Sequence, residues 1–435
     1  MDKLRIIGGT ELHGRIVIGG AKNAALPLMC ASLLTSEKVT LENVPYLADI
    51  TTMAKLLMQH GVLLSMRDPS GGLFAEGDTQ QGRYSRELTL HAKEITSVTA
   101  PYELVCTMRA SILVLGPLLA REGRAKVSLP GGCAIGTRPI DMHLAAMEAL
   151  GAKITLEEGY VLAEAPQGLK GAEIHFEKVS VGATENVLMA ASLAQGTTMV
   201  HNAAREPEIT DLADMLNSMG ANIEGAGTST ITIRGVAALS GTTHRVIADR
   251  IETGSYLAAV AMAGGELELV DARLDTLGNV IAAMEQVGVH TEQKEDYVRV
   301  WRNGSGLKPM AISTQPYPDF PTDMQAQMMT ILTQAEGDSP ITETIFENRF
   351  MHVPELARMG ANISVAGNTA TVHGRTKLKG APVMATDLRA SVSLVIAALG
   401  AEGETIVSRI YHLDRGYERL EEKLTLCGAK ISRIR

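Results

Sequence analysis

One pattern recurs six times along the 435-residue chain and sets the size of its folding unit. In each copy, an amphipathic helical stretch ends at a glycine and a short alternating segment follows. The six dipeptides, at intervals of 90, 69, 68, 72 and 68 residues, are Gly61-Val62, Gly151-Ala152, Gly220-Ala221, Gly288-Val289, Gly360-Ala361 and Gly428-Ala429. A glycine just beyond the last helical residue is typical of a helix end before a strand. The near-constant spacing therefore predicts six related α/β units.

A second predicted helix, rich in Ala, Ser and Gly, precedes each amphipathic helix. The clearest examples are residues 183–195, 254–264 and 388–400, and strands such as 197–201 and 266–270 follow them. Small side chains let neighbouring elements approach closely, so we expect these helices to be buried centrally. The sequence predicts a β-α-β-α-β-β unit of about 70 residues that repeats along the chain.

The number of units also predicts the number of domains. A single hydrophobic core seldom serves more than ~250–300 residues, so six units favour two domains of three units each. The first interval is the longest, and its excess falls in the polar segment 77–93. We expect this segment to be a surface insertion without a role in function.

Composition and charge exclude several classes of partner and location. The net charge of −9 argues against a nucleic-acid partner, because such proteins carry clustered positive charge. The N-terminal residues lack the apolar stretch of a signal peptide, and no run reaches the ~18 apolar residues that span a bilayer. Four scattered cysteines without a CxxC pair argue against a disulfide framework or a zinc site. These features predict a cytoplasmic protein whose cations gather locally to bind any anion.

Residues 19–25, Gly-Gly-Ala-Lys-Asn-Ala-Ala, open the first helical stretch. Lys22 and Asn23 then stand at a helix start, where free N–H groups and the helix dipole attract anions. One interpretation is an anion site that uses a lysine as a point charge. The other is an ordinary helix start with a solvated lysine, because the segment matches neither common phosphate-binding glycine motif.

Residues 128–139, Ser-Leu-Pro-Gly-Gly-Cys-Ala-Ile-Gly-Thr-Arg-Pro, form the most unusual stretch. Its prolines and glycines exclude a helix or a long strand. Cys133 lies at the centre of this loop, and Arg138 follows five residues later. A loop cysteine near a cation is typical of a reactive thiol, whereas Cys30 and Cys106 occur in apolar stretches that predict a structural role.

Several polar residues beside predicted helices have two interpretations each. Asp323 ends the proline-rich segment 316–323, where it either caps the next helix or acts as a general base for a sugar hydroxyl. Asp141 either caps a helix or accepts hydrogen bonds from a ligand. Residues 178–182 either bind phosphate through backbone N–H groups and the Ser180 hydroxyl or form a plain turn. Compact polar motifs that suggest a shared anion cleft contain Arg109, Arg349, Arg389 and Arg415.

These motifs together resemble those of the enolpyruvyl transferases. The resemblance extends from Leu4 to Arg433 through Gly20-Ala-Lys-Asn-Ala24, residues 128–139, Val179-Ser-Val-Gly182, Phe320-Pro-Thr-Asp-Met-Gln325, Ile345-Phe-Glu-Asn-Arg-Phe350, Thr386-Asp-Leu-Arg389 and Asp414-Arg-Gly-Tyr-Glu418. It implies an inside-out α/β barrel with two domains of three β-α-β-α-β-β repeats. The first domain is then residues 22–247, and the second comprises residues 1–21 and 248–435.

The resemblance also implies a reaction. The enolpyruvyl group of phosphoenolpyruvate moves to the 3′-hydroxyl of UDP-N-acetylglucosamine by addition–elimination, and phosphate is released. This is the first committed step of peptidoglycan precursor synthesis. The implied partners are these two substrates, with no nucleic acid and no membrane insertion. The mechanism needs no cofactor or metal, and the sequence shows no cluster of metal ligands.

The same resemblance assigns roles to residues that match the family motifs. Cys133 is the implied proton donor, able to form a covalent phospholactoyl adduct, and Asp323 helps to deprotonate the sugar hydroxyl. The implied phosphoenolpyruvate site consists of Lys22, Asn23, Arg138 and Arg415. The implied nucleotide-sugar contacts are Arg109, Arg138, Pro139, Ile140, Asp141, Met142, Lys178, Val179, Ser180, Val181 and Ile345. The implied supports of the closed cleft are Arg349, Asp387 and Arg389.

Two alternatives stay open at this point. The other enolpyruvyl transferase, which uses shikimate 3-phosphate, shares the fold and the donor, but we do not expect it to contain the Pro-Gly-Gly-Cys loop. A catalytically silent nucleotide-sugar sensor on the same fold could lose Cys133, Asp323 or Lys22 without penalty. All three residues are present.

Overall fold

The computed structural model describes residues 2–67, 86–129, 140–304 and 306–435. Within these ranges the chain forms six four-stranded sheets. Each sheet combines one parallel strand pair with two antiparallel pairs. The predicted six α/β units are therefore confirmed.

The first three sheets and their helices constitute what we call the first half. Its strands are β3 (Lys38–Val44), β4 (Leu63–Arg67), β5 (Arg86–His91), β6 (Thr99–Ala100), β7 (Arg124–Ser128), β8 (Lys153–Glu157), β9 (Tyr160–Glu164), β10 (Glu173–His175), β11 (Thr197–His201), β12 (Asn222–Glu224), β13 (Thr230–Arg234) and β14 (Thr242–Arg245). Its α-helices are α1 (Lys22–Ala31), α2 (Ala48–Gln59), α3 (Tyr102–Val105), α4 (Leu115–Glu122), α5 (Asp141–Ala149), α6 (Val181–Ala191) and α7 (Pro207–Ser218). Short 3-10 helices cover Ser32–Leu34 and Arg109–Val114.

The other three sheets constitute the second half, which includes both ends of the chain. Its strands are β1 (Lys3–Ile7), β2 (Leu12–Val17), β15 (Gly265–Val270), β16 (Val289–Gln293), β17 (Tyr297–Arg302), β18 (Ile312–Ser313), β19 (Asp338–Thr342), β20 (Asn362–Ala366), β21 (Thr369–His373), β22 (Pro382–Met384), β23 (Glu404–Ser408) and β24 (Lys430–Ile434). Its α-helices are α8 (Arg250–Ala263), α9 (Asn279–Val287), α10 (Gln325–Leu332), α11 (Val353–Arg358), α12 (Leu388–Gly400) and α13 (Leu420–Leu426). Its 3-10 helices cover Leu274–Thr276, Thr322–Met324 and Ile410–Arg415.

Strands that are remote in sequence complete three of the sheets. The sheet orders in the first half are β14-β3-β5-β4, β6-β7-β9-β8 and β10-β11-β13-β12. In the second half they are β16-β17-β15-β2, β18-β19-β21-β20 and β22-β23-β1-β24. The N-terminal strand β1 thus lies between the two C-terminal strands, and β14 returns to pair with β3. These pairings join the ends of each half.

The repeat glycines stand where the sequence places them, between a helix and a strand. All six have φ between 92° and 104°, a left-handed conformation that strains any residue with a Cβ. A strand begins within two residues after each of them, at β4, β8, β12, β16, β20 and β24. The glycine spacing therefore marks the chain reversal of every unit.

The helices rich in small residues are central, as predicted. Helices α6, α8 and α12 are buried along most of their length. In the second half, α8, α10 and α12 pack against one another, while the sheets lie outside them. Buried side chains form two clusters, one between positions 21 and 246 and one from positions 4–18 and 251–431. This arrangement confirms the predicted inside-out α/β fold. Among the described residues, no helix is long and apolar enough to cross a membrane.

The prediction of a surface insertion at residues 77–93 is wrong for its C-terminal part. Strand β5 lies inside a four-stranded sheet, where it pairs with both β3 and β4. Its Leu88 and Leu90 are fully buried in the core of the first half. The polar composition hid a strand because only its alternate side chains face inward. Residues 77–85 lie outside the described ranges.

Two chain segments that run side by side connect the halves. The Ala21 N–H donates to the Ile247 carbonyl at 2.7 Å, and the Asp249 N–H donates to the Gly19 carbonyl at 2.9 Å. A Cβ on Gly20 would lie 1.9 Å from the Asn43 carbonyl oxygen, so only glycine fits this crossing. The start of α1, which carries Lys22, is thereby fixed at the junction of the halves.

Candidate active site

Asp323 lies just before α10, and two arginines bind its carboxylate. Its Oδ1 accepts a hydrogen bond from Arg349 Nη2 at 2.7 Å, and its Oδ2 accepts one from Arg389 Nη2 at 2.9 Å. Burial raises the pKa of Asp323, but the charges of Arg389 and Arg349 outweigh burial and hold that pKa well below its usual range. Helix α10 has no side-chain cap, so the capping interpretation of Asp323 is wrong. Asp323 is instead an ionised carboxylate held by two cations.

Arg389 is fixed at both its backbone and its guanidinium. The Asp387 carboxylate caps α12 by accepting hydrogen bonds from the N–H groups of Arg389 at 2.8 Å and Ala390 at 3.0 Å. The Arg389 Nη1 donates to the Tyr417 hydroxyl at 3.3 Å, and that hydroxyl contacts Ser255 Oγ at 2.9 Å. Because these groups are buried, Arg389 presents its second amino group to Asp323 in one orientation.

Glu343 connects the segment of Asp323 to the segment of Ile345. Its Oε2 accepts a hydrogen bond from the Thr322 hydroxyl at 2.9 Å. Its Oε1 accepts one from the Thr314 hydroxyl at 2.8 Å and one from the Ile345 N–H at 2.8 Å. The Glu343 side chain is buried, so it holds the residue before Asp323 in place.

A second carboxylate, that of the buried Asp49, holds two further cations. Lys22, the first residue of α1, places its Nζ 3.3 Å from Asp49 Oδ2. Arg415, at the end of a 3-10 helix, donates from Nε to Asp49 Oδ1 at 2.9 Å. Lys22 and Asp49 belong to the first half and Arg415 to the second. The Asp49 carboxylate therefore joins the two halves.

The two carboxylate clusters act on each other electrostatically. Burial lowers the pKa of Lys22, Asp49 opposes this effect, and the charges of Arg389 and Arg415 lower the pKa further. The charge of Lys22 in turn contributes to the low pKa of Asp323. These mutual effects unite the two clusters in one site. The site concentrates positive charge in a chain whose net charge is −9, and a multiply charged anion needs such a concentration.

A buried network beneath this site also joins the halves. Lys423 Nζ lies 2.7 Å from Glu252 Oε1 and 3.7 Å from Glu418 Oε2. Glu418 also accepts a hydrogen bond from the Tyr46 N–H at 2.6 Å, and Glu252 accepts one from the Gly19 N–H at 2.9 Å. Burial lowers the pKa of Lys423, but Glu252 and Glu418 outweigh burial and raise it. The segment that carries Arg415 is thus fixed against the first half.

In the first half, polar groups gather around His143 on α5. Asn186 on α6 donates from Nδ2 to His143 Nδ1 at 2.9 Å and to the Ile112 carbonyl at 3.1 Å. Burial lowers the pKa of His143 to about 4, and the charge of Arg109 contributes. The neutral imidazole therefore connects the first turn of α5 to the middle of α6, beside Arg109.

Comparisons with known proteins show the family of the chain. The family described as EPSP synthase (3-phosphoshikimate 1-carboxyvinyltransferase) matches residues 6–424, almost the whole chain. The chain belongs to this family. Within it, a curated relative from Agrobacterium fabrum, named UDP-N-acetylglucosamine 1-carboxyvinyltransferase, is 60% identical over 435 residues and covers 100% of both chains. A relative of the same name from Chelativorans sp. is 59% identical over 434 residues, again with 100% of both chains covered.

Solved structures of enolpyruvyl transferases share the fold. The enolpyruvyl transferase NikO from Streptomyces tendae superimposes with a TM-score of 0.87 at 25% identity, covering 100% of this chain and 99% of that one. EPSP synthase from Acinetobacter baumannii superimposes with a TM-score of 0.74 at 19% identity and covers 100% of both chains. The second likeness concerns the fold alone. Both agree with two domains built from three repeats each.

Many of the residues that the sequence analysis predicted for the active site lie together in the structure. The cationic site described above contains Lys22, Asp323, Arg349, Arg389 and Arg415, and Asp387 and Asn23 are neighbours in sequence of its members. Arg109 belongs instead to the group around His143. Cys133, Arg138 and Pro139 lie outside the described residues. Their roles stay predictions from the sequence.

The predicted nucleotide-sugar residues mostly lie at two helix starts. Ile140 is the N-cap residue of α5, and Asp141 is the exposed first residue of that helix, so Asp141 does not cap it. The Ser180 hydroxyl accepts a hydrogen bond from the Ala183 N–H at 3.3 Å and caps α6. Residues that pack on the first core are Met142, Val179 and Val181. Lys178 is exposed, and Ile345 lies in the second half.

Sequence reasoning missed Asp49 and His143. Asp49 follows an apolar segment at an ordinary helix start, and nothing near it in sequence indicates a partner 366 residues away. His143 lies inside a helical pattern, where a histidine is usually a core residue with a satisfied hydrogen bond. Asp49 lies in the first turn of α2, where an acidic residue normally interacts with the helix dipole. Only the fold brings Asp49 to Lys22 and Arg415.

Proposed function

We propose that the chain is a UDP-N-acetylglucosamine 1-carboxyvinyltransferase, which moves the enolpyruvyl group of phosphoenolpyruvate to the sugar 3′-hydroxyl. This reaction is the first committed step of peptidoglycan precursor synthesis and takes place in the cytoplasm. The observation that carries the proposal is the full-length identity of 59% and 60% to curated relatives of that name. The cationic site around Asp49 and Asp323 supports it independently.

Phosphoenolpyruvate carries a phosphate and a carboxylate, so it needs several cations at short range. Lys22 and Arg415 already share one buried carboxylate, that of Asp49. The substrate replaces part of this contact and becomes the anion between Lys22 and Arg415, with Asn23 and Arg138 beside it. In the free site, the Asp49 carboxylate holds Lys22 and Arg415 in position. Its negative charge also limits the repulsion between these two cations.

The reaction is an addition followed by an elimination. The sugar 3′-oxygen bonds to C2 of phosphoenolpyruvate while C3 takes a proton from Cys133, and the hydroxyl proton passes to Asp323. In the elimination, the Cys133 thiolate takes a proton back from C3 and the C2–C3 double bond forms again. The C2–O bond to phosphate breaks, and the departing phosphate takes the proton held by Asp323. The clustered cations stabilise the anionic groups of the intermediate in a site that excludes water.

The low pKa of Asp323 defines how this residue acts. Since Arg389 and Arg349 keep Asp323 ionised, its carboxylate is a weak base toward a free hydroxyl. It hydrogen-bonds the sugar hydroxyl and accepts the proton only as the C–O bond forms and the hydroxyl becomes acidic. Its side chain is 28% exposed, so an acceptor can reach it.

Two domains, residues 22–247 and residues 1–21 with 248–435, close over the substrates in this mechanism. The boundaries coincide with the paired segments that connect the two buried cores. The first domain supplies Lys22, Cys133 and the nucleotide-sugar residues near α5 and α6. The second supplies Asp323 and Arg415, while Arg349, Asp387 and Arg389 support the closed cleft. Chemistry thus requires both domains.

Phosphate release with each of two acceptors tests the proposal. We expect the chain to release phosphate from phosphoenolpyruvate with UDP-N-acetylglucosamine and not with shikimate 3-phosphate. The opposite preference would identify a 3-phosphoshikimate 1-carboxyvinyltransferase. Failure to turn over either acceptor, with binding of UDP-N-acetylglucosamine retained in calorimetry, would indicate a nucleotide-sugar sensor.

Thiol labelling tests the role of Cys133 separately. An electrophilic phosphonate shaped like phosphoenolpyruvate should alkylate Cys133 when UDP-N-acetylglucosamine is present. Burial raises the pKa of Cys30 well above its usual range and that of Cys427 to about 11, so these thiols should react slowly. Peptide mapping that places the label on Cys30, Cys106 or Cys427 would contradict the role of Cys133.

A further inference from the structure

A histidine pair and a carboxylate meet on the edge of the β10-β11-β13-β12 sheet. Strand β10 is the edge strand and pairs in parallel with β11. In this register His175 lies directly opposite His201, and the two rings stack with centroids 4.3 Å apart. Glu173 lies two residues before His175 and therefore on the same face of the sheet. Three side chains that commonly bind metal ions are thus adjacent.

The ligand atoms of these side chains converge on one oxygen. Glu173 Oε1 lies 3.0 Å from His201 Nε2 and 3.4 Å from His175 Nε2. All three ligand atoms lie within 4.8 Å of one another. Zinc binds histidine nitrogen at about 2.0–2.1 Å and carboxylate oxygen at about 2.0–2.2 Å, which in a tetrahedron separates neighbouring ligand atoms by about 3.3 Å. The two observed separations lie on either side of this value.

We propose that Glu173, His175 and His201 form a surface site for a divalent transition-metal ion, with Zn²⁺ as its expected occupant. Water completes the tetrahedron as a fourth ligand. Imidazole nitrogens with one carboxylate favour zinc and its neighbours over magnesium or calcium, which prefer oxygen ligands. The site lies outside the proposed reaction and requires no change to it.

Metal binding requires the stacked rings to tilt, because one ion cannot lie in the planes of two parallel imidazoles. The His175 side chain is 66% exposed, so it can rotate without disturbing the core. His201 is more enclosed, at 28% exposure, and serves as the fixed ligand. The ion would then link the edge strand β10 to β11. This link lies just before residues 178–181, which the proposed function assigns to the nucleotide sugar.

The sequence gives little sign of this site. Glu173 and His175 are neighbours, but His201 follows 26 residues later, beyond helix α6. No common zinc motif has that spacing, so the sequence shows no ligand cluster. Only the parallel register of β10 and β11 brings the third ligand into place.

A zinc titration of the full chain tests the site. Wild type, His175→Gln and His13→Gln are titrated in competition with a chromophoric zinc chelator, with thiols kept reduced. His13 is a matched control, since it is an exposed histidine 3.4 Å from the single carboxylate of Glu11. All three proteins contain the same cysteines, so any Zn²⁺ that binds to cysteine contributes equally to each titration and cancels in the comparison. Loss of a residue that only orients a ligand typically weakens metal binding 10–100-fold, so H175Q should weaken this site at least about tenfold.

Thermal unfolding provides the second measurement. Zn²⁺ should raise the unfolding midpoint of wild type and H13Q by a few degrees more than that of H175Q, since a ligand of the native state stabilises it. Mg²⁺ at the same concentration should produce no such difference. Equal zinc affinity and equal zinc-induced shifts in wild type and H175Q would overturn the proposal. The phosphate-release assay, performed without added metal, distinguishes this failure from failure of the proposed function.

Discussion

Two carboxylates bound by cations occupy the candidate active site, and their surroundings differ. Asp323 binds Arg349 and Arg389, which belong to the same half of the molecule. Asp49 binds Lys22 from its own half and Arg415 from the other. The first cluster is complete within one half. The second exists only where the halves meet.

This difference separates two tasks that a two-domain enzyme must perform. The cluster of Asp323 is held rigidly, since both arginines are 5% exposed and Arg389 is fixed by further contacts. It suits a residue that must meet a hydroxyl in one orientation. Arg415 is 38% exposed and can exchange Asp49 for an incoming anion. It suits a contact that changes when the substrate binds.

The largest expected effect is a loss of turnover when Asp323, the carboxylate of the rigid cluster, is replaced by an uncharged residue. Asp323→Asn should lower kcat about 10²–10⁴-fold, the range for loss of a general base. Steady-state kinetics with both substrates measure this change. The matched control is Asp338→Asn, which should leave kcat unchanged. Asp338 is an exposed residue of β19 whose carboxylate pairs with His373. A D323N enzyme with wild-type turnover would exclude Asp323 from proton transfer.

The second-largest expected effect is on the free energy of unfolding, which should differ between the two clusters when an arginine is removed. Arg389→Ala removes a buried cation from Asp323 and Tyr417, and should lower the free energy of unfolding by about 3 kcal/mol. Arg415→Ala removes a partly exposed cation and leaves Asp49 paired with Lys22, so we expect a loss of about 1 kcal/mol or less. Urea unfolding without substrate measures both values. Equal losses would remove the distinction between a rigid and an exchangeable cluster.

The Asp49 cluster should also affect the alkaline pH dependence. Asp49 raises the pKa of Lys22 against the effect of burial. Without that negative charge, the pKa of Lys22 should fall further and the lysine should lose its proton at lower pH. In Asp49→Asn, the alkaline limb of kcat/KM for phosphoenolpyruvate should therefore move to lower pH than in wild type. A shift to higher pH would contradict the proposed role of Asp49.

A smaller effect is expected on acid stability. The folded-state pKa of Asp323 is held well below its value of about 3.9 in the unfolded chain. Its ionised form therefore contributes stability above pH ~4, and this contribution is lost as pH falls further. The unfolding free energy of D323N should decline less steeply than that of wild type below this pH. Identical slopes in urea unfolding between pH 2 and 4 would argue against the low pKa.

The sequence predicts the framework of this molecule well for a physical reason. Each repeat glycine is required locally, since only glycine adopts the left-handed turn at φ near 100° without strain. Helices rich in small residues must be buried for the same kind of local reason. Such signals survive without knowledge of the rest of the chain. Strand β5 was missed because its polar alternation resembles a surface loop.

The candidate site is less accessible to sequence reasoning. Lys22 and Asp323 stand out because glycine- or proline-rich segments surround them. Asp49, Glu418 and His143 acquire their roles only from partners far away in sequence. Whether Asp323 caps a helix or binds arginines depends on Arg349 and Arg389, which follow 26 and 66 residues later. Long-range ion pairs leave no local pattern.

Double-mutant cycles on the two carboxylates test this division of roles most directly. One cycle uses Asp323→Asn with Arg389→Gln, the other Asp49→Asn with Arg415→Gln, and both are measured by urea unfolding without substrate. Coupling between Asp323 and Arg389 should exceed about 2 kcal/mol, within the range for groups in one buried network. Coupling between Asp49 and Arg415 should stay below about 1 kcal/mol, because the Arg415 side chain is partly exposed and its charge is screened by solvent. A larger coupling for Asp49 and Arg415 than for Asp323 and Arg389 would contradict the assignment of a rigid cluster and an exchangeable one.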